Sequence, residues 1–265
     1  MTTRRRQPTP SAPTPSGRLA EVTVVRKGSL RKLRKLIVLL GRRSWRRALR
    51  KGVAAAVEHR DVPFGHDFAT VIDVGAHNGQ FALLALELFP RSNVLCVEPL
   101  PDALERLRTA VEADGRTTVL EAAAAARAGR RQLHVSRKTD SSSLLPILKS
   151  YVDAFPGTEE SGILEVEAKT LDSLVAERIR RPCLLKVDAQ GGELEVLAGA
   201  EAVLAQVDSA YVECSFVEFY RGQALADEVI ATFLRRGLRL DGVYSVVRDV
   251  AGRCMQADLL FRRSQ

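Results

Sequence analysis

The sequence predicts an α/β protein built around a mostly parallel sheet with helices on both faces. From Thr70 onward, short Val-, Ile- and Leu-rich runs alternate with helix-length amphipathic segments, the pattern of a parallel sheet covered by helices. Five of these runs end at or next to an acidic residue, and two continue through glycines into a helix. The chain has 265 residues, 46% of them hydrophobic, enough for one full-sized α/β core.

The individual elements follow from this alternation. The candidate strands are Thr70–Val74, Asn93–Glu98, Thr117–Glu121, Cys183–Val187 and Ala210–Cys214. The candidate helices between them are Gln80–Leu88, Asp102–Glu112, Leu171–Arg180 and Gly192–Leu204. Two last strands, Val243–Val247 and Met255–Phe261, flank a turn and predict a closing hairpin.

Positive charge is concentrated at the N-terminus. Residues 1–51 contain 16 Lys and Arg and one acid, Glu21, whereas residues 52–265 contain 24 basic and 31 acidic residues. The net charge of +8 therefore belongs to the first segment. The acidic remainder, which we expect to be the catalytic domain, has no basic cleft predicted for a phosphate backbone.

The basic region divides into two segments. Residues 1–25 are rich in Pro, Ser, Thr and Arg without apolar periodicity and are expected to be disordered. Residues 26–51 predict a basic amphipathic helix, whose apolar stripe is Leu30, Leu33, Ile37, Leu40 and Ala48. Such a helix can contact an anionic membrane or a nucleic acid, or it can dock its stripe on the domain. The sequence leaves both interpretations open.

The cysteines and the short apolar runs predict a cytoplasmic protein. The four cysteines contain no C-x-x-C pair, so neither a zinc site nor a dense disulfide framework is predicted; they are Cys96, Cys183, Cys214 and Cys254. The apolar run at Leu36–Leu40 is far below the roughly 20 residues of a membrane span. Contact with a membrane is expected only peripherally, through the basic helix.

The strongest chemical signal is the turn after the first predicted strand, which carries a Gly-x-x-x-Gly pattern. Glycines let a ligand approach the backbone closely, and the helix start offers free amides. Dinucleotide loops need a second glycine where His77 stands, but S-adenosylmethionine carries no phosphate. The turn therefore predicts an S-adenosylmethionine site formed by Asp73, Gly75, Ala76, Asn78 and Gly79.

A second acid supports the same site. Glu98 ends the next strand, 25 residues after Asp73, where a carboxylate can accept hydrogen bonds from both ribose hydroxyls. Pro99 follows it. We expect Glu98 and Pro99 to complete the cofactor-binding set.

Three ionisable residues surround the end of another strand. Because ligands of open α/β sheets bind at the carboxyl ends of strands, Asp188 should face the same crevice as Asp73. Asp188 is the leading candidate for the base that accepts a hydroxyl proton, with Lys186 and Glu193 tuning its charge or binding the acceptor. Two alternatives remain open: a divalent ion bridging Asp188 and the acceptor, and a structural role for Glu193 as a helix cap.

A third acidic strand end points to the acceptor. Glu213 ends the strand before Phe216 and Tyr220, and acids with aromatics are a usual composition of sugar pockets. We expect these three residues to bind the acceptor, although the aromatic residues fit the core equally well.

At these residues the sequence resembles the FkbM-type methyltransferases over about residues 50–262. The matching pieces, which occur in the family's order, are Val71-Ile72-Asp73-Val74-Gly75-Ala76-x-x-Gly79-Gln80, Glu98-Pro99, Ser141-Ser142-Ser143-Leu144-Leu145, Thr170-Leu171-Asp172, Lys186-Val187-Asp188-x-x-Gly191-x-Glu193-x-x-Val196-Leu197-x-Gly199-Ala200 and Gln256-Ala257-Asp258-Leu259-Leu260-Phe261. Two departures are His77, where Asn is commoner, and Ala189-Gln190 in place of Val-Glu.

The resemblance implies a Rossmann-like class I methyltransferase fold, a seven-stranded sheet ending in an antiparallel hairpin. It also implies methylation of a hydroxyl oxygen with S-adenosylmethionine, on a sugar, glycan precursor or natural product. Because this sequence has Gln190 where the family has Glu, the resemblance implies no role for an acid at position 190. The alternatives are a nicotinamide-dependent oxidoreductase and a non-catalytic protein that binds nucleic acid or membrane through its basic N-terminus.

Overall fold

The computed structural model describes residues 29–65, 67–111 and 114–264. The helices are α1 (Ser29–Leu40), α2 (Arg43–Arg50), α3 (Gln80–Leu88), α4 (Pro101–Val111), α5 (Lys149–Ala154), α6 (Leu171–Val175), α7 (Glu193–Ala198), α8 (Glu201–Gln206) and α9 (Ala226–Arg235). The strands are β1 (Thr70–Val74), β2 (Asn93–Glu98), β3 (Thr117–Glu121), β4 (Ala123–Ala124), β5 (Gly129–Ser136), β6 (Glu160–Lys169), β7 (Cys183–Val187), β8 (Ser209–Ser215), β9 (Leu238–Arg248) and β10 (Cys254–Arg263).

Seven strands form the main sheet in the order β3-β2-β1-β7-β8-β10-β9. The pairs β2/β3, β1/β2, β1/β7 and β7/β8 are parallel, and β10 runs antiparallel to both β8 and β9. The predicted fold class is therefore confirmed, including the C-terminal hairpin. Because β1 lies between β2 and β7, the turns after these three strands meet at one edge of the sheet.

The sheet is buried on both faces. Along β1, Ile72 and Val74 pack into one hydrophobic cluster with helices α6 to α9, whereas Val71 packs into the opposite cluster with α3. This alternation follows from the two-residue side-chain repeat of a strand. The apolar runs of the central strands are continuous because both of their faces are covered.

The predicted basic helical segment is divided into α1 and α2 at Gly41 and Arg42. Trp45 and Ala48 of α2 are buried against the domain, and the Trp45 indole donates to the carbonyl oxygen of Leu83 at 3.0 Å. In α1, by contrast, Ile37 is 63% exposed. The expected disorder of residues 1–25 lies outside the described residues, as do the side chains of Leu30 and Leu33.

A second, three-stranded sheet in the order β4-β6-β5 lies between β3 and α6 in the chain. The sequence did not predict it. Most residues of β5 and β6 are exposed, so neither strand has the apolar run by which a buried strand is recognised. Leu133, Val166 and Ala168 form its small core.

In the described part of the chain, no helix has the length and apolar character needed to cross a membrane. The four cysteines are unpaired thiols, and Cys96, Cys183 and Cys214 are buried.

Candidate functional site

A cavity of about 690 Å³ lies at the carboxyl ends of the central strands. Two groups of residues in its wall differ in chemistry. We define the loop side as Gly75, Ala76, His77, Glu98 and Pro99. We define the acidic side as His59, Lys186, Asp188, Gln190, Tyr211, Glu213, Gln256 and Asp258.

The loop side depends on a close approach of two backbone segments at Gly75. Its φ of +71° lies in the left-handed region, and a Cβ here would collide with the backbone oxygen of Asp188. Glycine is therefore required both by conformation and by space. Gly79 begins α3 with φ +86° and packs near Leu107. Neither Gly79 nor Asn78 is among the cavity-lining residues.

Glu98 presents a buried carboxylate to the loop side. Its Oε2 accepts the backbone N–H of His77 and its Oε1 accepts that of Leu100, both at 2.8 Å. Burial raises the pKa of Glu98 to about 7, and the two amide hydrogen bonds limit that rise. Each carboxylate oxygen keeps a further lone pair for a ligand hydroxyl.

The His77 ring contacts a neighbouring segment of the chain through Thr139. Its Nε2 lies 2.9 Å from the Thr139 hydroxyl, and burial lowers the pKa of the imidazole, which keeps it neutral at pH 7. Because the His77 amide is used by Glu98, it is not free to bind a phosphate.

In the cavity wall, Lys186 links β1 to β7. Its Nζ lies 3.2 Å from Asp73 Oδ1, 3.1 Å from the Gly75 oxygen and 3.6 Å from Asp188 Oδ2. Burial alone would lower the pKa of Lys186, but Asp73 and Asp188 raise it, and the amine stays charged. Burial raises the pKa of Asp73, and Lys186 offsets part of that rise. Asp73 does not line the cavity; it holds Lys186 in place.

On the acidic side, one amide connects two carboxylates. Gln190 Nε2 donates to Asp188 Oδ1 at 2.6 Å and to Glu213 Oε2 at 3.0 Å. Gln256 Nε2 donates to the same Glu213 oxygen at 2.8 Å. Burial, followed by the charge of Asp188, raises the pKa of Glu213. The Asp188 side chain is 32% exposed, so a ligand can reach it.

Glu193, predicted to assist Asp188, lies outside the cavity wall. It is buried in the first turn of α7, and its Oε1 accepts the backbone N–H groups of Ala189 and Gly191 at 3.2 and 3.1 Å. Burial raises its pKa to about 7. These contacts are those of the helix-start alternative, in which Glu193 fixes the loop that carries Asp188.

Of the three residues predicted to bind the acceptor, Glu213 lines the cavity and two do not. Tyr220 is buried among Tyr151 and Phe219, and its hydroxyl donates to Gln190 Oε1 at 2.6 Å. Tyr220 thus contacts the acidic side through Gln190. Phe216 is 38% exposed and lies away from the cavity wall.

Sequence reasoning missed a hydrogen-bonded group formed by His59, Tyr211 and Asp258. The Tyr211 hydroxyl donates to Asp258 Oδ2 at 2.9 Å and lies 2.9 Å from His59 Nδ1. Because the Tyr211 proton is given to Asp258, His59 Nδ1 carries the proton of the second bond. A signal existed for two of them: Tyr211 and Asp258 are polar groups within apolar strands.

The ranges that the structure describes contain no group of three His, Cys, Asp or Glu side chains arranged to hold a metal ion. In the cavity wall, Asp188 and Glu213 are joined by the Gln190 amide.

A comparison with family models identifies the family of the chain. The sequence profile of the methyltransferase FkbM domain matches residues 73–240. The chain is also 27% identical over 190 residues to the 2-O-methyltransferase NoeI of Sinorhizobium fredii, which is 68% of this chain and 78% of that protein.

Two solved methyltransferase structures resemble the chain at low identity. Methyltransferase FkbM from Methylobacillus flagellatus KT is 14% identical with a TM-score of 0.48, and the match covers 88% of this chain and 59% of that one. Precorrin-6y C5,15-methyltransferase from Geobacter metallireducens GS-15 is 13% identical with a TM-score of 0.45, covering 80% of this chain and 95% of that one.

Proposed function

The chain belongs to the FkbM methyltransferase family, and from that premise we propose that it transfers a methyl group from S-adenosylmethionine to a hydroxyl oxygen. The proposed acceptor is a sugar, a glycan precursor or a natural product. The observation that carries the proposal is the position of Asp188, a partly exposed carboxylate in the same cavity as the loop side.

The residues of the loop side fit S-adenosylmethionine, which when bound supplies an electrophilic methyl group. Glu98 would hold the ribose hydroxyls through the lone pairs that its two amide bonds leave free. Gly75 and Ala76 would let the ligand approach the backbone. Three small cavity-lining residues, Ala122, Ala123 and Ala124, leave room for a flat adenine ring.

The same residues fit a dinucleotide poorly. A diphosphate needs free amides and a glycine at the helix start, whereas His77 brings an imidazole and gives its amide to Glu98. This favours a methyltransferase over a nicotinamide-dependent oxidoreductase.

Asp188 would orient the acceptor hydroxyl and accept its proton as the new bond forms. A carboxylate within hydrogen-bond reach serves this role because an alcohol is a weak nucleophile while it holds its proton. Lys186 Nζ lies 3.6 Å from Asp188 Oδ2, and Gln190 donates to Oδ1, so that Oδ2 is left to accept from the acceptor hydroxyl. Positioning of the hydroxyl contributes the rest of the rate.

The acidic side favours an acceptor rich in hydroxyl groups. Its carboxylates, together with Gln256 and His59, offer many hydrogen-bond acceptors, and Lys186 is occupied by Asp73. Anionic acceptors would be repelled. The relative NoeI is a 2-O-methyltransferase, which agrees with methylation of a hydroxyl.

The test is transfer of isotopically labelled methyl groups to a panel of methyl glycosides of hexoses and 6-deoxyhexoses. With the best acceptor, Asp188→Asn should leave cofactor affinity within a few-fold and lower turnover by roughly 10²–10⁴, the usual effect of removing a general base. Asp227→Asn, on the exposed surface of α9, is the matched control. Normal turnover of Asp188→Asn would remove Asp188 from the mechanism.

A further inference from the structure

We propose that Gln190 occupies the position at which a divalent cation would bridge Asp188 and Glu213, so that its amide positions Asp188 in the cation's place. The proposal rests on the proposed function only for the role of Asp188. Its own basis is geometric: the same nitrogen lies 2.6 Å from one carboxylate oxygen and 3.0 Å from another.

The placement of Gln190 is built by the surrounding structure. Its φ of +50° is in the left-handed region, which is uncommon for a residue other than glycine and persists only where neighbours impose it. The Ser143 hydroxyl donates to its backbone oxygen at 2.6 Å. The buried Tyr220 hydroxyl donates to its Oε1 at 2.6 Å. Because a carboxylate accepts hydrogen bonds, the NH2 group of Gln190 faces Asp188, and Oε1 faces the Tyr220 hydroxyl, whose one proton also lies within reach of the Ser141 carbonyl oxygen at 3.0 Å.

The NH2 group of Gln190 donates to the two carboxyl oxygens that a bridging cation would otherwise bind. Two carboxyl groups that converge on one buried point need a positive or hydrogen-donating partner, because burying their oxygens without one costs free energy. The two N–H bonds of Gln190 provide one donor for Asp188 and one for Glu213. A Mg²⁺ or Mn²⁺ ion bridging these oxygens would need the volume that Nε2 fills, since its ligands are oxygens at roughly 2.0–2.2 Å.

One atom change should therefore convert the cavity into a cation site. Gln190→Glu replaces the donating NH2 with a third carboxylate oxygen beside Asp188 and Glu213. Cation affinity rises with the number of charged oxygen ligands. The Tyr220 hydroxyl still has an oxygen to which it can donate, which keeps the side chain at the cavity. Repulsion from the Asp188 carboxylate turns the new oxygen aside, so that the ion can lie between the three oxygens.

The experiment is a Mn²⁺ titration of the whole chain followed by electron paramagnetic resonance, with saturating S-adenosylhomocysteine. The unmodified protein should bind no Mn²⁺ in the cavity. Gln190→Glu should gain one site at least about tenfold tighter than any background binding, and the double variant Gln190→Glu with Asp188→Asn should lose it. Gln132→Glu, on exposed β5, adds the same charge elsewhere and should gain nothing.

Two results would overturn the proposal. The first is Mn²⁺ bound by the unmodified protein and lost in Asp188→Asn. The second is a folded Gln190→Glu protein that binds Mn²⁺ no better than Gln132→Glu. S-adenosylhomocysteine affinity is measured in each sample. Absence of S-adenosylhomocysteine binding would contradict the proposed function, whereas the Mn²⁺ affinities alone decide the proposal about Gln190.

Discussion

The two sides of the cavity are built in different ways. The loop side comes from two turns, at residues 75–77 and 98–99, and its shape is set by backbone conformation and by backbone amides bound to Glu98. The acidic side gathers side chains from His59 to Asp258, nearly the whole described chain. Cofactor binding should therefore respond most to changes of backbone space, and acceptor chemistry to changes of single side-chain atoms.

The largest effect should come from Gly75→Ala. The added Cβ would collide with the Asp188 backbone, which neither segment can avoid without moving. We expect loss of stability by about 2–4 kcal/mol from strain and overpacking, together with loss of S-adenosylhomocysteine binding.

Gly222→Ala isolates the conformational part of that effect. Gly222 has φ +75° but no atom within 4 Å of an added Cβ, so only about 1 kcal/mol should be lost. Thermal unfolding and calorimetry of both variants make the comparison. Equal melting temperatures for the two would show that the close approach at Gly75 does not matter.

An intermediate effect is expected at Glu98. Glu98→Gln leaves one of the amides of His77 and Leu100 without its carboxylate acceptor and weakens the ribose contact. Losing a charge-assisted hydrogen bond costs about 1.5–3 kcal/mol, roughly ten- to a hundredfold in affinity. Calorimetric titration with S-adenosylhomocysteine gives the value directly, and unchanged affinity would exclude Glu98 from the ribose site.

The same residue predicts a pH dependence. With a pKa of about 7, Glu98 is ionised above pH 7 and protonated below it, so affinity should fall as the pH is lowered through 7. Glu193 titrates in the same range but lies outside the cavity wall. The slope should therefore flatten in Glu98→Gln and persist in Glu193→Gln.

The smallest effect on either side should come from removing residues 1–28. The described domain then keeps the buried Trp45 and Ala48, and cofactor affinity should stay within about twofold, since every residue of the cavity wall is retained. Removal through Lys51 would also delete these two core residues and should lower the melting temperature.

The proposed contact of the basic segment with anionic surfaces is tested by Ile37→Glu, which places a negative charge in the exposed apolar stripe of α1. Leu36, Ile37 and Leu40 are exposed in α1 beside many bases, which favours anionic lipid over nucleic acid as the partner. The full chain should sediment with phosphatidylserine vesicles in low salt and less in high salt. Equal sedimentation of the unmodified chain and Ile37→Glu would remove α1 from this role.

The sequence predicted the features that depend on local backbone signals better than those that depend on side chains from distant segments. The bounds of β1, β2, β3, β7 and α3 coincide with the predicted ones because apolar periodicity and glycines are local signals. The predicted helix Gly192–Leu204 is instead two helices. Asp172, from a distant segment, caps the second through the amides of Ala202 and Val203 at 3.0 and 2.8 Å.

The acidic side shows more clearly which residues of the site the sequence could not predict. Lys186, Asp188 and Glu213 stand at strand ends, where an acid or base is conspicuous. His59 lies in a turn before the first strand, and only folding brings it to Tyr211. No spacing in the sequence encodes that contact, because the two residues are 152 positions apart.

The central claim is that the loop side accepts a phosphate-free nucleoside ligand. Calorimetric titration of the unmodified protein with S-adenosylhomocysteine and with NAD, in the same buffer at pH 8 so that Glu98 is ionised, tests it most directly. The account predicts one site for S-adenosylhomocysteine and no measurable heat with NAD. Saturable NAD binding without S-adenosylhomocysteine binding would contradict it, and would return the cavity to dinucleotide chemistry.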